Sequence, residues 1–379
     1  MRHRGNVLIL TAGYGDGHMK VSETLREAFY RYGFRHVRLL DLYREAHPTI
    51  DTIAKFLYNK SLAASTYGFH YYGWSYYLTR NMEKDSPLGR WLNRLGNKML
   101  ANVIQQEKPA VVISTFPFGG IGELLKKSTT PIHAFTVVTD FALHNRWVFT
   151  ASDHFYVATE DLKAALIRRN IPEDRITVSG IPVREPFCRT QTDDAGNGTD
   201  KERTVLIMGG AYGAKDIRNM TEYLRQIPNV RIDVVCGRNE KLREYLHNCF
   251  GHAPDVRLFG FVDTIHELMK RSSCIVTKAG GVTLSEAMQV QIPIVIFKPF
   301  PGQEKENARY LAGKGAAVVA GNARQVAAHV EQILTSDQIR RDMVDRYRSL
   351  HVGNAADIIV RDALRVVNLR KEKPGNSIA

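Results

Sequence analysis

The chain has 379 residues and a mass of 42.8 kDa, more than one ordinary hydrophobic core holds, so length alone argues for two domains. Hydrophobic residues make up 44% and charged residues 24%, close to average globular usage, which excludes a wholly disordered, collagen-like or coiled-coil chain. No apolar run reaches the roughly 18 residues of a membrane span, and the apolar segment after MRHRGN is too short for a signal peptide, so neither spanning nor export is expected. Lys and Arg number 52 against 39 Asp and Glu, a formal net charge of +13. That sign predicts an anionic partner, and nucleic acid, an anionic membrane face and a phosphate-bearing substrate all fit it.

In chain order, NVLILT (6–11) reads as a strand that meets the glycine cluster GYGDGH and then a helical pattern, VSETLREAFYRYG. The strands HVRLLDLY, PAVVISTF, PIHAFTVVTD and HFYVAT follow, with helical segments such as LGNKMLANVIQQE and EDLKAALIRR between them. Such alternation implies a parallel sheet. RTQTDDAGNGTDKE (189–202) is polar, contains glycine and has no apolar period, as an exposed linker would. Beyond it the alternation restarts with TVLIMGG, RIDVVCG, VRLFGFV, CIVTKAGG, IPIVIFKP and AAVVA as strands, and NMTEYLRQI, IHELMKRS and LSEAMQV among the helices. A second doubly wound domain is expected there. The amphipathic pattern AADIIVRDALRVVNLRKEK predicts a last helix, and PGNSIA a frayed tail.

One stretch breaks the regularity. Phe56 to Trp91 holds ten aromatics in 36 residues, and Lys55, Lys60, Arg80, Lys84, Arg90, Arg94 and Lys98 stand in and around it against only Glu83 and Asp85. Rings that seat at a headgroup boundary beside cations that attract anionic lipid suit peripheral membrane contact. A helical hairpin burying its rings in a core explains the same composition. The four cysteines, Cys188, Cys236, Cys249 and Cys274, form no CxxC pair and have no histidine at zinc spacing, so they read as reduced and structural.

Several glycine turns at strand ends carry the candidate chemistry. Gly13-Tyr14-Gly15-Asp16-Gly17-His18 approximates a dinucleotide fingerprint with Asp41 as its ribose acid, but His18 takes the place of the third glycine. The alternatives are a tight turn presenting an imidazole of near-neutral pKa as a general base, or a plain capping or surface histidine. TKAGGVTLSEA (277–287) follows a strand directly, and a helix starting near Thr283 would aim its unpaired N–H groups at a pyrophosphate. Thr283 and Glu286 also fit a capping box, so Glu286 either returns a bond to the cap or accepts a ribose diol. Gln303, Glu304 and Asn307, after Lys298-Pro-Phe-Pro-Gly, offer groups that read sugar hydroxyls or simply make a polar helix start, and Gly209-Gly210 opens the second domain. No Walker, Gly-x-Ser-x-Gly, His-Glu-x-x-His or Asp-x-Asp sequence occurs. ATPase, serine-elbow hydrolase and zincin chemistry are therefore not signalled, nor is a metal-chelated nucleotide diphosphate.

Together, LTAGYGDGH, TDFALHNRW (139–147), SGIPVR, TKAGGVTLSEA and PGQEKENA resemble the glycosyltransferases of family 28, in the branch of diacylglycerol glucosyltransferases and monogalactosyldiacylglycerol synthases. The resemblance covers nearly the whole chain and implies an α/β GT-B fold, two facing Rossmann-like domains with parallel sheets and a C-terminal crossover helix. Laid on this sequence, that gives an acceptor and membrane-binding domain over 1–187, a linker over 188–203, a nucleotide-sugar domain over 204–354 and a returning helix with a frayed tail over 355–379. It further implies inverting transfer of a hexose, glucose before galactose, from a UDP-sugar to the hydroxyl of 1,2-diacylglycerol, with repeated addition an open option and no metal or other cofactor. The related lipid-linked muropeptide GlcNAc transferase is a more remote alternative. By the same likeness His18 is the base, with Asp140 beside it and Gly17, His144 and Trp147 on the acceptor side. Arg184, Gly210, Gly281, Thr283 and Leu284 hold the diphosphate, Phe261 and Val262 the uracil, Glu286 the ribose, and Gln303, Glu304 and Asn307 the hexose. The expected location is cytoplasmic, peripheral on the inner face of the cell membrane through residues 55–98, without nucleic acid. A dinucleotide-dependent oxidoreductase and a non-catalytic adhesion protein are the competing classes.

Overall fold

The computed structural model describes residues 5–13, 16–46, 97–119, 121–125, 131–188, 203–350 and 354–369. The aromatic stretch 56–91 lies outside the described residues, as do Tyr14, Gly15, the polar run 189–202 and the tail. The described chain forms two compact units. One holds the residues up to Arg184 together with the C-terminal helix, and the other begins at Glu185.

In the first unit the strands β1 (Val7–Thr11), β2 (Val37–Asp41), β3 (Val111–Ser114), β4 (His133–Val137), β5 (His154–Val157) and β6 (Ile176–Val178) make one sheet in the order β2-β1-β3-β4-β5-β6. All pairings are parallel. Helices cover both faces of such a sheet, which is why VLIL and VVI are continuous apolar runs, buried at every position. β6 is a strand that the sequence pattern does not announce: three residues, ITV, are too few to establish a period.

The C-terminal helix Ala355–Leu369 packs on the helix Asp16–Arg31 of this same unit. Ile359, Val360 and Ala363 are fully buried, and the seam is closed by Arg31 to Asp357 at 3.3 Å, Arg361 Nε to Tyr32 Oη at 3.1 Å and Tyr156 Oη to Asp362 at 3.3 Å.

In the second unit β7 (Arg203–Met208), β8 (Val230–Val235), β9 (Val256–Phe259), β10 (Cys274–Thr277), β11 (Ile294–Phe297) and β12 (Val318–Ala320) run parallel in the order β12-β11-β10-β7-β8-β9. This is the doubly wound nucleotide-binding order. Its strand order reverses between β7 and β10, and that of the first sheet between β1 and β3. At these points successive helices leave on opposite faces and open a crevice at the carboxyl ends of the strands. Ile359→Ala should cost about 2–4 kcal/mol, read as a lower thermal midpoint and faster proteolytic removal of the C-terminal helix.

Candidate functional site

At the crevice of the first unit the residues after β1, β3 and β4 meet. His18 is not in a turn: it is the third residue of the helix Asp16–Arg31. Its Nδ1 lies 2.7 Å from the Thr115 carbonyl oxygen and 3.1 Å from Thr139 Oγ1. A carbonyl oxygen only accepts, so the shorter contact places the proton on Nδ1 and leaves the lone pair on Nε2. Phe116 meets the ring edge-on at 5.1 Å and Trp147 lies at 6.4 Å. This desolvation, partly opposed by the Thr115 hydrogen bond, brings the imidazole pKa down to about 4. The near-neutral value expected from the sequence is thereby corrected, because the protonated ring loses its hydration among aromatic neighbours.

Asp140 and Trp147 are buried in the same region, and Gly17 precedes His18 on its helix. His144 caps the short helix Asn145–Val148, its Nδ1 accepting from Arg146 N at 3.2 Å. Asp41 accepts from Gly13 N at 3.1 Å and Arg44 N at 3.2 Å, so both its oxygens hold backbone, and the ribose role of the dinucleotide alternative loses its carboxylate. Arg184, half-buried, ends the unit.

In the second unit the turns after β7, β9, β10 and β11 line the carboxyl edge. The helix after β10 runs Gly281–Gln289 with Gly280 as its cap residue, two residues ahead of the expected start at Thr283. Thr283 and Glu286 are thus both inside the helix and no capping box forms. Gly280 has no side chain to cap with, and the first-turn N–H groups of Gly281, Val282 and Thr283 have no acceptor within the helix. Leu284 N closes the turn on Gly280 O at 3.0 Å. Glu286 is buried, at 2% exposure. A side chain at Gly210 would bring its Cβ to 3.0 Å from the Cys236 carbonyl, so the backbone there passes tightly against that carbonyl.

Gly302, at φ +103°, turns the chain into the helix Gln303–Gly313 and places Gln303 and Glu304 in its first turn. Glu304 Oε1 pairs with Lys278 Nζ at 3.2 Å, and Glu304 Oε2 is buried without a protein hydrogen bond. Asn307 has different work from sugar reading. It is fully buried and donates from Nδ2 to Ala279 O at 3.1 Å, tying this helix to the loop that leads into Gly281. Phe261, 57% exposed, carries the Arg238 guanidinium over its ring at 4.8 Å, with half-buried Val262 next to it. Lys278, Arg238, Ser22 and Thr115 were not singled out by the sequence, although Lys278 lies within the TKAGG run. Among the described residues no three His, Cys, Asp or Glu side chains converge as metal ligands would. No helix there is long and apolar enough to cross a membrane.

Two parallel α/β units, each with its residues gathered at a sheet's carboxyl edge, make a GT-B protein. Among solved structures the chain is similar to MurG of Acinetobacter baumannii (TM-score 0.62, 16% identity, 95% of this chain and 99% of that one) and to S. aureus MnaA with UDP (TM-score 0.61, 16% identity, 98% and 99%). Residues 18–183 match the monogalactosyldiacylglycerol (MGDG) synthase family and residues 189–349 match the glycosyl transferases group 1. The chain is 37% identical to the processive diacylglycerol beta-glucosyltransferases of Bacillus cereus (strain AH187) and Bacillus anthracis (strain CDC 684 / NRRL 3495), over 93% of its own length and 92% of theirs. It belongs to that family, the diacylglycerol glucosyltransferase and monogalactosyldiacylglycerol synthase branch of glycosyltransferase family 28. Asn307→Leu should strand the Ala279 carbonyl and cost about 1–3 kcal/mol, checked by thermal unfolding of the full chain.

Proposed function

We propose that this protein transfers glucose from UDP-glucose to the free hydroxyl of 1,2-diacylglycerol, with inversion at the anomeric carbon, and that it adds further glucose units to its own product. The observation that carries the reading is His18 at the strand-order reversal of the first unit, its Nδ1 2.7 Å from the Thr115 carbonyl oxygen so that Nε2 keeps the lone pair. The acceptor hydroxyl is a poor nucleophile at neutral pH. Its oxygen bonds to the anomeric carbon while its proton passes to His18 Nε2, and the electron pair of the breaking sugar–oxygen bond leaves with UDP. A base this weak, with its conjugate acid at a pKa of about 4, gains its power from geometry and from the partial positive charge that builds on the hydroxyl as it attacks.

Negative charge grows on the departing diphosphate. The first-turn N–H groups of the Gly281–Gln289 helix are preorganised to meet it, each such donor contributing about 3 kcal/mol in comparable oxyanion sites. Arg184 adds a cation, and the turn at Gly210, held close to the Cys236 carbonyl, lines the diphosphate's side of the edge. Phe261 and Val262 face the uracil, with Arg238 stiffening the Phe261 ring from its other side. Gln303 and Glu304 take the hexose hydroxyls, for which the buried Glu304 Oε2 is a ready acceptor. The ribose role of Glu286 requires this carboxylate to turn out of the interior, since it is 2% exposed. N–H groups and cations carry the diphosphate, so no metal is needed. The basic, ring-rich residues 55–98 give the contact with an anionic membrane surface where the acceptor resides.

Purified protein given UDP-glucose and diacylglycerol vesicles should form glucosyl lipid, and EDTA should leave the rate unchanged; no glycolipid from UDP-glucose or UDP-galactose would refute the transfer. His18→Gln should bind UDP normally and lose about 10²–10⁴-fold in kcat. Loss of the base form follows protonation, so activity falls as pH drops through the His18 value of about 4. Between about pH 5 and 8 the acid limb of kcat/KM should therefore be flat, and a half-fall near the ordinary histidine value of about 6.5 would count against the assignment.

A further inference from the structure

Thr115, whose carbonyl faces His18, is anchored through its side chain in a set of buried hydroxyl contacts. Ser22 lies one turn after His18 on the same helix, and Thr115 follows β3; both are fully buried. Ser22 Oγ is 2.9 Å from Thr115 Oγ1 and 2.9 Å from the His18 carbonyl oxygen. Thr115 Oγ1 reaches the Leu10 carbonyl oxygen at 3.2 Å, and Thr115 N donates to that same oxygen at 3.0 Å. β1, the end of β3 and the first turn of the His18 helix are therefore joined through two side chains. Back-bonding of a helical hydroxyl to the carbonyl four residues earlier is ordinary, and Thr24 does the same to Lys20 at 2.8 Å. Ser22 differs in having a second, cross-element contact.

An apolar pair would fill this space with no polar group to satisfy, and two hydroxyl protons cannot fully serve the three short side-chain contacts. The arrangement therefore costs something in packing terms, while it ties the residue whose carbonyl faces His18 to β1 and to the His18 helix. We propose that Ser22 and Thr115 are positioning residues for His18: their paired hydroxyls fix the Thr115 carbonyl against the imidazole and so keep the ring in the tautomer whose Nε2 can take the acceptor's proton. This rests on His18 being the base. A ring freed from the carbonyl can place its proton on Nε2 instead, where it blocks the hydroxyl. Wrong-tautomer loss of this kind is large when a base's orienting partner is removed.

The experiment compares Thr115→Val, which keeps shape and backbone but removes the hydroxyl, with Thr115→Ser, which keeps the hydroxyl. Each is assayed as the full chain with UDP-glucose and diacylglycerol vesicles, alone and combined with His18→Gln. Thr115→Val should lower kcat about tenfold or more with KM for UDP-glucose unchanged, and Thr115→Ser should recover most of it. In the His18→Gln background Thr115→Val should add no further loss. Wild-type kcat per folded molecule in Thr115→Val, or the same multiplicative loss in both backgrounds, overturns the inference. If His18→Gln alone retains transfer, the base assignment falls first; if it abolishes transfer while Thr115→Val does not, only the positioning claim falls. Should Thr115→Val fail to fold, Ser22→Ala against Ser22→Thr makes the same comparison, with the same outcomes deciding.

Discussion

A ring nitrogen pressed against a carbonyl oxygen has only one way to make that contact favourable, which is to carry a proton. The 2.7 Å approach of His18 Nδ1 to the Thr115 oxygen therefore settles both the tautomer and the free nitrogen. The aromatic edges of Phe116 and Trp147 then make the cationic ring costly, and the imidazole stays neutral far below its ordinary range. The geometry of the first unit's crevice turns on that pair of effects. The parallel sheet supplies the means, because its reversal between β1 and β3 puts the start of one helix beside the end of a neighbouring strand.

The second unit solves a different physical problem with the same architecture. In the proposed reaction it meets negative charge, and its glycine turns offer backbone for that. Gly280 leaves the helix start uncapped, Gly210 lets the preceding turn approach closely, and Gly302 turns the next helix so that Glu304 lies against Lys278. Asn307 keeps these pieces in register from inside, spending its amide on the Ala279 carbonyl rather than on a ligand. A buried side chain of the neighbouring helix thus holds the loop that leads into this uncapped helix start.

Much of this was legible before any coordinates. The apolar runs mark eleven of the twelve described strands, since strands buried on both faces leave an unbroken apolar signature. β6 escaped because ITV is too short to show a pattern. The described glycine turns fall at strand ends, and the residues that carry the family likeness gather, in each unit, near the carboxyl edge of its sheet. What the sequence could not convey was long-range. Thr283 and Glu286 have capping-box spacing, yet β10 delivers the chain into a helix two residues earlier. His18 looks like an ordinary titrating histidine until Thr115 and Trp147, far along the chain, close around it. Asp41 and Asn307 look like ligand-reading groups and turn out to be committed to backbone, while Lys278 and Arg238 gain their roles only through Glu304 and Phe261.

The most direct measurement is a pH titration of the full-length protein labelled with nitrogen-15 in histidine, following the His18 ring by NMR with His18→Gln for assignment. The account requires a neutral ring with the proton on Nδ1 throughout about pH 5 to 8, charging only as pH nears about 4. A His18 ring that titrates near 6.5, or that carries its proton on Nε2 at neutral pH, would contradict it.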